Sequence, residues 1–492
     1  MVGKPRWRWF VASLLIGSGT LSIICFAGSA AAIPTHHRVW AAMAVCGLVG
    51  GGLILWWLLA SRWSMGVRLG SAGAMVGSLS IVALGIQLHG LTLDGLPLLQ
   101  RRGSIEAGTL LPQPHHDPWS DQRPHGERWP AATIDLLQPR RHWRLDVGAG
   151  FAGFAVARGL AITQEQRGVH ECVVAYDLRL GSEIWAYGDT ARFADLRAGV
   201  GPRATPAIDG DHVLALGATG WLRCLDVAGG QLLWRRQVRA PAAATALWSK
   251  PLVWGDLVIV TAGAETKLQA FDRLTGEPRW QADTPGGDGA PVLTVTASGL
   301  PLVVASGAAG ASGHDPGSGL ALWQASWPAS GLVAPEAVPL GRGRLLLGGG
   351  PAGVRAYNVQ WQIGTAGLTA ALLWRTTQLR PALSVGVEAD GFVFGLDEGR
   401  LVCIDAATGY RRWQGARYGH GRILRAGSQL LVQAEDGTVA IVVASAEGSH
   451  ERFRFRALHT RRGWAEPMLH DRWLLVRDDD EAALWELPAA VE

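Results

Sequence analysis

Several side chains able to bind charge or move a proton stand at matched places in a repeating pattern of this sequence. With Gly210, Gly255, Gly391 and Gly427 superposed, and Pro206, Pro251, Pro291 and Pro467 as further markers, Arg203, Trp248, Asp288, Ser384, His420 and Trp464 share one level. Two residues on, Thr205, Lys250, Ala290, Gly386, Arg422 and Glu466 share a second. Residues two apart on a strand face the same side, so both sets look into one space. Arg203, Lys250 and Arg422 are donors of the kind that grips carboxylates. Asp288 and Glu466 are the only carboxylates at the two levels, hence the candidates there for a general base. Lys250 has only Lys4 and Lys267 for company in the whole chain. No Glu/Asn/Asp set with the look of a calcium cage is visible. No Walker A, G-x-S-x-G or H-E-x-x-H motif offers another chemistry. The cysteines Cys25, Cys46, Cys172, Cys224 and Cys403 are scattered, with no C-x-x-C and no adjacent pair. His115, His116 and His125 fall in a proline-rich stretch with no fixed geometry, so no metal site is assigned.

The elements that must position these residues are repeats. Asp177, Gly181 and Trp185 recur as Asp226, Gly230, Trp234; as Asp272, Gly276, Trp280; as Asp315, Gly319, Trp323; and as Asp405, Gly409, Trp413. The unit D-x-x-x-G-x-x-x-W reads as a strand ending in Asp, a tight turn and a strand carrying Trp. The Asp side chain serves the turn amides and Gly supplies a positive φ. A degenerate copy has Asn358 and an insertion before Trp374, and another leads through Gly448 to Phe453. Two more strands precede each unit, as in Thr205–Gly210 and His212–Gly217. Four strands in roughly 43 residues is the period of a β-propeller blade.

Counting terminal aromatics gives Trp143, Trp185, Trp234, Trp280, Trp323, Trp374, Trp413 and Phe453. The tryptophans are read as docking residues that pack between neighbouring blades. Trp143 has no unit before it, and the last strands, near Trp473 and Trp485, have no outer strand after them. Joined, the two chain ends complete an eighth blade and leave no open sheet edge. Seven blades remain the alternative if the irregular region near Trp374 is not a full blade. Cys224 and Cys403 occupy a small buried position that Ala175 and Ala270 fill elsewhere, which makes them structural.

The N-terminal part is different in kind. The first 93 residues contain Lys4, Arg6, Arg8, Arg38, Arg62 and Arg68 and no Asp or Glu. Apolar runs at about 9–33, 39–61 and 69–93 each exceed the roughly 20 residues that span a bilayer, so residues 1–93 read as an anchor of three transmembrane helices. The first run, preceded by Lys4, Arg6 and Arg8 and containing Ala30-Ala31-Ala32 near its end, also has features of a cleaved signal peptide, but its length favours an uncleaved helix. The basic residues place the N-terminus inside and everything beyond residue 93 outside. Residues 94–140 are a Pro- and His-rich linker, and 141–488 hold the repeats. The chain has 48% hydrophobic and 17% charged residues and a formal charge of +4, but the positive excess sits in the anchor. A basic nucleic-acid-binding face is therefore not expected.

The A-x-D-x-x-T-G-x-x-x-W unit resembles the tryptophan-docking repeat of PQQ-binding-like (pyrroloquinoline quinone) β-propellers, and the chain resembles the membrane-anchored members found in planctomycetes. Thr163–Gly168, Gly201–Pro206, Leu216–Gly220, Gly395–Gly399, Tyr418–Gly421 and Leu475–Asp479 carry the likeness. A W-P-x-F-R-G-P segment is absent, with only Trp129-Pro130 in its place, and a W-N-P-P segment reads Trp464-Ala-Glu-Pro467. The resemblance implies an all-β, eight-bladed, quinoprotein-like propeller following the three helices. It implies two kinds of function. Quinoprotein dehydrogenases of this superfamily hold PQQ and Ca²⁺ in the propeller funnel, whereas an outer-membrane assembly lipoprotein uses the same fold as a binding scaffold.

The expected function is an extracytoplasmic, membrane-anchored module that binds envelope proteins, peptides or a small ligand, rather than an enzyme. The channel mouth would be lined by Arg203, Thr205, Trp248, Lys250, His420, Arg422, Trp464 and Glu466. The alternative is a PQQ-dependent alcohol or sugar dehydrogenase of the cytoplasmic membrane, in which Asp288 and Lys250 would serve the quinone chemistry and Trp248 or Trp464 would form an aromatic lid.

Overall fold

The computed structural model describes residues 86–91, 97–101 and 138–488, apart from 196–198, 239–249, 262–266, 286–288, 308, 328–336, 362–367 and 460–462. The chain divides into two compact units, the first containing a hairpin and the second the repeats.

Eight antiparallel four-stranded sheets follow one another. Blade 1 comprises Ala155–Ala157, Leu160–Arg167, His170–Asp177 and Glu183–Thr190. Blade 2 comprises Ala207–Asp209, His212–Leu216, Trp221–Asp226 and Leu232–Gln237. Blade 3 comprises Leu252–Trp254, Leu257–Thr261, Lys267–Asp272 and Pro278–Asp283, and blade 4 Val292–Val295, Pro301–Gly307, Gly310–His314 and Ala321–Ser326. Blade 5, the irregular one, is complete: Val338–Gly341, Arg344–Gly348, Val354–Trp361 and Leu368–Thr376. Blade 6 has Val387–Ala389, Phe392–Asp397, Arg400–Asp405 and Arg411–Arg417, and blade 7 Gly421–Ala426, Gln429–Ala434, Thr438–Ala444 and Ser449–Arg456. Blade 8 joins Met468–His470, Trp473–Arg477 and Glu481–Glu486 to Arg140–Asp146, an outer strand taken from the other end of the repeat region. The propeller thus has eight blades.

The second and third strands of the blades are largely buried on both faces and mostly apolar, with buried polar residues such as Gln164, Arg223 and Gln433 among them. Leu257–Thr261 is buried along its whole length. Each junction between adjacent blades has its own apolar cluster, including that between blades 8 and 1, where Trp143, Ala161, Val174, Leu475 and Leu484 meet. The Asp–Gly turns are nearly superposable. Gly181, Gly230, Gly276, Gly319 and Gly409 each donate their amide to the carbonyl of the repeat Asp at 2.8–2.9 Å. The Asp carboxylates accept the turn amides, as Asp177 does from Arg179 and Leu180 at 2.8 Å each.

The glycines are required twice over. At Gly230 φ is 66°, and an added Cβ would lie 2.4 Å from the Trp185 ring. Each docking tryptophan lies on the turn of the next blade, and six donate their indole N–H to a turn carbonyl there. Examples are Trp185 to Val227 at 2.9 Å and Trp143 to Leu178 at 2.9 Å. Trp323 differs. Blade 5 has an elongated hairpin in place of the Asp–Gly turn, and Trp323 Nε1 is buried with no hydrogen-bond partner among the described residues.

The first unit requires a correction. Ile86–Leu91, expected at the end of the third transmembrane helix, is a β-strand, and it pairs antiparallel with Pro97–Arg101, expected in the linker. Around Asp94-Gly95, a strong hairpin signal, the sequence alternates as Ile86, Leu88, then Leu91, Leu93, which suits a strand better than a helix. The spans at 9–33 and 39–61, the rest of 69–93 and most of the linker lie outside the described residues. Among the described residues no helix is long and apolar enough to cross a membrane.

Candidate functional site

The innermost strands are short, and the segments just ahead of them reach the channel mouth. Pro206, Pro251, Pro291 and Pro467 are tolerated there because the innermost strand is a sheet edge that needs no donor on its free side.

These segments are pinned by polar side chains near the ends of the second strands. Gln164 Nε2 donates to the carbonyls of Ala204 and Leu216 at 2.7 and 3.1 Å, which fixes the backbone between Arg203 and Thr205. Thr261 Oγ1 donates to Gly289 O at 2.9 Å. Gln433 Nε2 donates to the carbonyls of Gly463 and Ala465, both at 3.2 Å, on either side of Trp464.

In blade 8 the corresponding residue is Arg477, fully buried. Its five donors reach Asp478 O, Thr163 Oγ1, Gln164 O, Gly148 O and Gly150 O at 2.8–3.1 Å, so it ties blade 8 to the segment that carries Phe151. Burial pushes its pKa down, against the opposing charges of Glu165 and Asp478.

The result is a cavity of about 250 Å³ whose lining includes Phe151, Arg203, Thr205, Lys250, Arg422 and Glu466. A second cavity of about 320 Å³ shares Thr205, Lys250 and Glu466 and adds Phe154, Arg425 and Met468. Five residues nominated from the repeat register are therefore brought together. Arg203 is only 3% exposed, and its guanidinium lies over the rings of Phe151 and Phe193 at 5.8 and 5.6 Å. Thr205 Oγ1 accepts the Gly153 amide at 3.0 Å. Arg422 Nε donates to Trp464 O at 2.9 Å.

Other nominated residues stand differently. Trp464 is buried and its ring packs against Phe151, with centroids 5.1 Å apart, so it is a wall behind the mouth and not a lid over it. His420 is half-buried and lines neither cavity, and its carbonyl accepts the Glu435 amide at 2.7 Å. Trp248 and Asp288 lie outside the described residues.

Phe151, Phe154 and Arg425 were not nominated. Counting back from Gly159 in blade 1 reaches Ala152, one residue off; aligning the paired strands instead puts Phe151 at the level of Arg203.

In the first cavity three cations and one carboxylate, backed by aromatic and proline walls, are a set of groups whose chemistry suits an anion with an apolar part. Arg203 and Arg422 are held in place before any ligand arrives, which lowers the ordering cost of binding.

Residues 169–361, less than half of the chain, match the family model described as outer membrane protein assembly factor BamB. No curated protein matches the sequence. Among solved structures, BamB from Moraxella catarrhalis is similar with a TM-score of 0.52 and 18% identity, covering 72% of this chain and 99% of that one. A europium-containing methanol dehydrogenase has a TM-score of 0.52 and 13% identity, with 72% and 94% coverage. A quinohemoprotein alcohol dehydrogenase from Pseudomonas putida HK5 has a TM-score of 0.51 and 14% identity, with 72% and 77% coverage. At these identities the likeness is one of fold. It agrees with the resemblance to PQQ-like propellers drawn from the repeat.

The quinone of that fold group fits the mouth only in part. Arg203, Lys250 and Arg422 suit its carboxylates. Among the described residues, however, Glu466 is the one carboxylate that lines the cavities. Among the described residues the one cluster of three possible metal ligands, Asp478, Asp479 and Asp480, stands in a turn of blade 8 and lines neither cavity, so those residues assemble no calcium cage at the mouth.

Proposed function

We propose that this chain is a membrane-anchored binding module whose propeller stands outside the cytoplasm and holds an anionic ligand, or an anionic segment of an envelope protein, at the channel mouth. The carrying observation is the convergence of Arg203, Lys250 and Arg422 on a cavity that has a single carboxylate, Glu466, and apolar walls. The likeness to an assembly factor supports a role in holding partners. The six basic and absent acidic residues of the first 93 support the anchor with its N-terminus inside, and the outside placement of the propeller rests on a third crossing within 69–85.

A PQQ-dependent dehydrogenase of the same membrane is the second reading, favoured by the cationic lining alone. The two are separated by adding PQQ and Ca²⁺ to the purified protein and following absorbance, thermal shift and dye-linked oxidation of alcohols and sugars. Binding without turnover, weakened roughly tenfold or more by Lys250→Ala, is the expected result. Turnover abolished by Lys250→Ala and Asp288→Ala overturns the binding-module reading. Absence of binding moves the recognition surface from the mouth to the rims.

A further inference from the structure

The two faces of the propeller differ in a way that the channel does not explain. In blades 1 to 7 the connection between the third and fourth strands lies on one face, and in all eight blades the connection between the second and third strands lies on the other, because consecutive strands are antiparallel. The first face carries large exposed apolar side chains in four of these blades. Leu180 (blade 1), Leu274 (blade 3), Leu320 (blade 4) and Tyr410 (blade 6) sit in or directly after the Asp–Gly turns, with exposures of 73, 52, 64 and 72%.

On the opposite face, Val169 is the one large apolar residue so exposed among the described turns. Those turns are built of glycine and carboxylates, such as Asp397-Glu398-Gly399 and Glu435-Asp436-Gly437. Single exposed leucines are ordinary. Four on one face, each at a turn of the same kind, against one on the other is a consistent bias.

Nothing in a turn of this kind requires the residue. Repeat Asp and Gly make the turn, and the position after Asp405 and two residues on from it holds Ala406, Ala407 and Thr408 without loss of geometry. Nearer the axis on the same face, Asp209, Asp211 and Asp390 are paired with Arg273, Arg158 and Arg425, so their charges are compensated. A ring of apolar tips around a charge-compensated centre matches a flat, extended, apolar-cored surface better than a groove.

We infer that this face rests on a lipid bilayer, its tips inserted among the headgroups. The inference depends on reading the N-terminal segment as a bilayer anchor. That segment puts a bilayer within reach, since only the 38 residues from 102 to 139 separate it from the first strand of the propeller. Tethering at such a span makes weak insertions by single side chains effective. The channel mouth, which lies on the face of the second-to-third-strand turns, then points away from the lipid.

The test uses the full chain in phosphatidylcholine vesicles, with Cys25 and Cys46 replaced. Burial pushes the thiols of Cys172, Cys224 and Cys403 up to about 12 and keeps them unlabelled. An environment-sensitive fluorophore is placed at Leu180→Cys, Leu320→Cys or, on the opposite face, Asp436→Cys. A quencher is carried on the lipid acyl chain. Quenching several-fold stronger at 180 and 320 than at 436, reduced when Leu274 and Tyr410 are both changed to Ser, is the expected result.

Equal and weak quenching at all three sites in protein that floats with the vesicles overturns the face assignment and leaves the anchor standing. Shielding at 180 and 320 that follows protein density instead of the lipid quencher overturns it in favour of a second copy of the chain. Protein that does not float with the vesicles overturns the anchor, and the inference with it.

Discussion

The propeller rests on a three-residue arrangement: Asp for the turn amides, Gly for the backbone, and Trp from the blade before. Gly230→Ala should cost about 1–3 kcal/mol, because φ is 66° and the Trp185 ring occupies the place of the Cβ. Chemical denaturation measures it, and a loss below a few tenths of a kcal/mol would contradict the close approach. Asp272 carries a charge effect that can be separated from the turn. The Arg279 guanidinium, together with the amides of Thr275 and Leu274, holds its carboxyl down at about 2. A folded pKa below the unfolded one means that the contribution is complete above about pH 4 and is lost as pH falls through 4 towards 2. Asp272→Asn should therefore melt below the parent at pH 6, with the gap closing near pH 2; a gap that does not change with pH would rule out the charge. The Asp, Gly and Trp positions were legible in sequence because one steric problem is solved in the same way five times. The pins at Gln164, Thr261, Gln433 and Arg477 were not. They do one job with three residue types, so no letter repeats, although each bonds the backbone ahead of the next blade.

Blades 5 and 8 and the N-terminal hairpin show where pattern reading succeeds and fails at the scale of elements. Blade 5 has lost its Asp–Gly turn and keeps all four strands, since its pairing from Val354↔Thr376 to Trp361↔Leu368 is longer than in its neighbours. The terminal aromatic, Trp374, was the signal that survived. The hairpin was misread because a long apolar run does not by itself distinguish helix from strand. In blade 8, Arg477 is the element that holds the closing sheet to blade 1. Arg477→Lys keeps the charge but cannot fill five acceptors, and should cost about 3–5 kcal/mol. Equilibrium unfolding measures this, and a near-neutral variant would mean that Thr163 and the carbonyls find other donors.

For the whole molecule, closure is the decisive property. Truncation after residue 470 removes two of the three C-terminal strands of blade 8 and leaves Arg140–Asp146 with no partner. Two sheet edges open at once, so the truncated propeller should melt at a much lower temperature and expose hydrophobic dye-binding surface. Melting like the full chain would show that the ring holds without its clasp. That the two ends meet was readable from an outer strand without a unit at one end and a unit without an outer strand at the other. The cationic mouth was readable because ring closure brings residues of equal register together, whereas the apolar tips sit at different places in their turns and needed the exposed surface itself.

The clasp also sets an order of events during synthesis. The strand that closes the ring, Arg140–Asp146, leaves the ribosome first among the blade strands, and its partner, Glu481–Glu486, leaves last. For some 340 residues of elongation, about 17–70 s at 5–20 residues per second, blades can form and stack, but the ring stays an open arc with a sticky end on each side. A nascent propeller of this design is under-protected until Glu481–Glu486 emerges. Selection on that strand is therefore selection on the timing of protection, and a ribosome stalled before it would leave an edge-exposed and aggregation-prone arc.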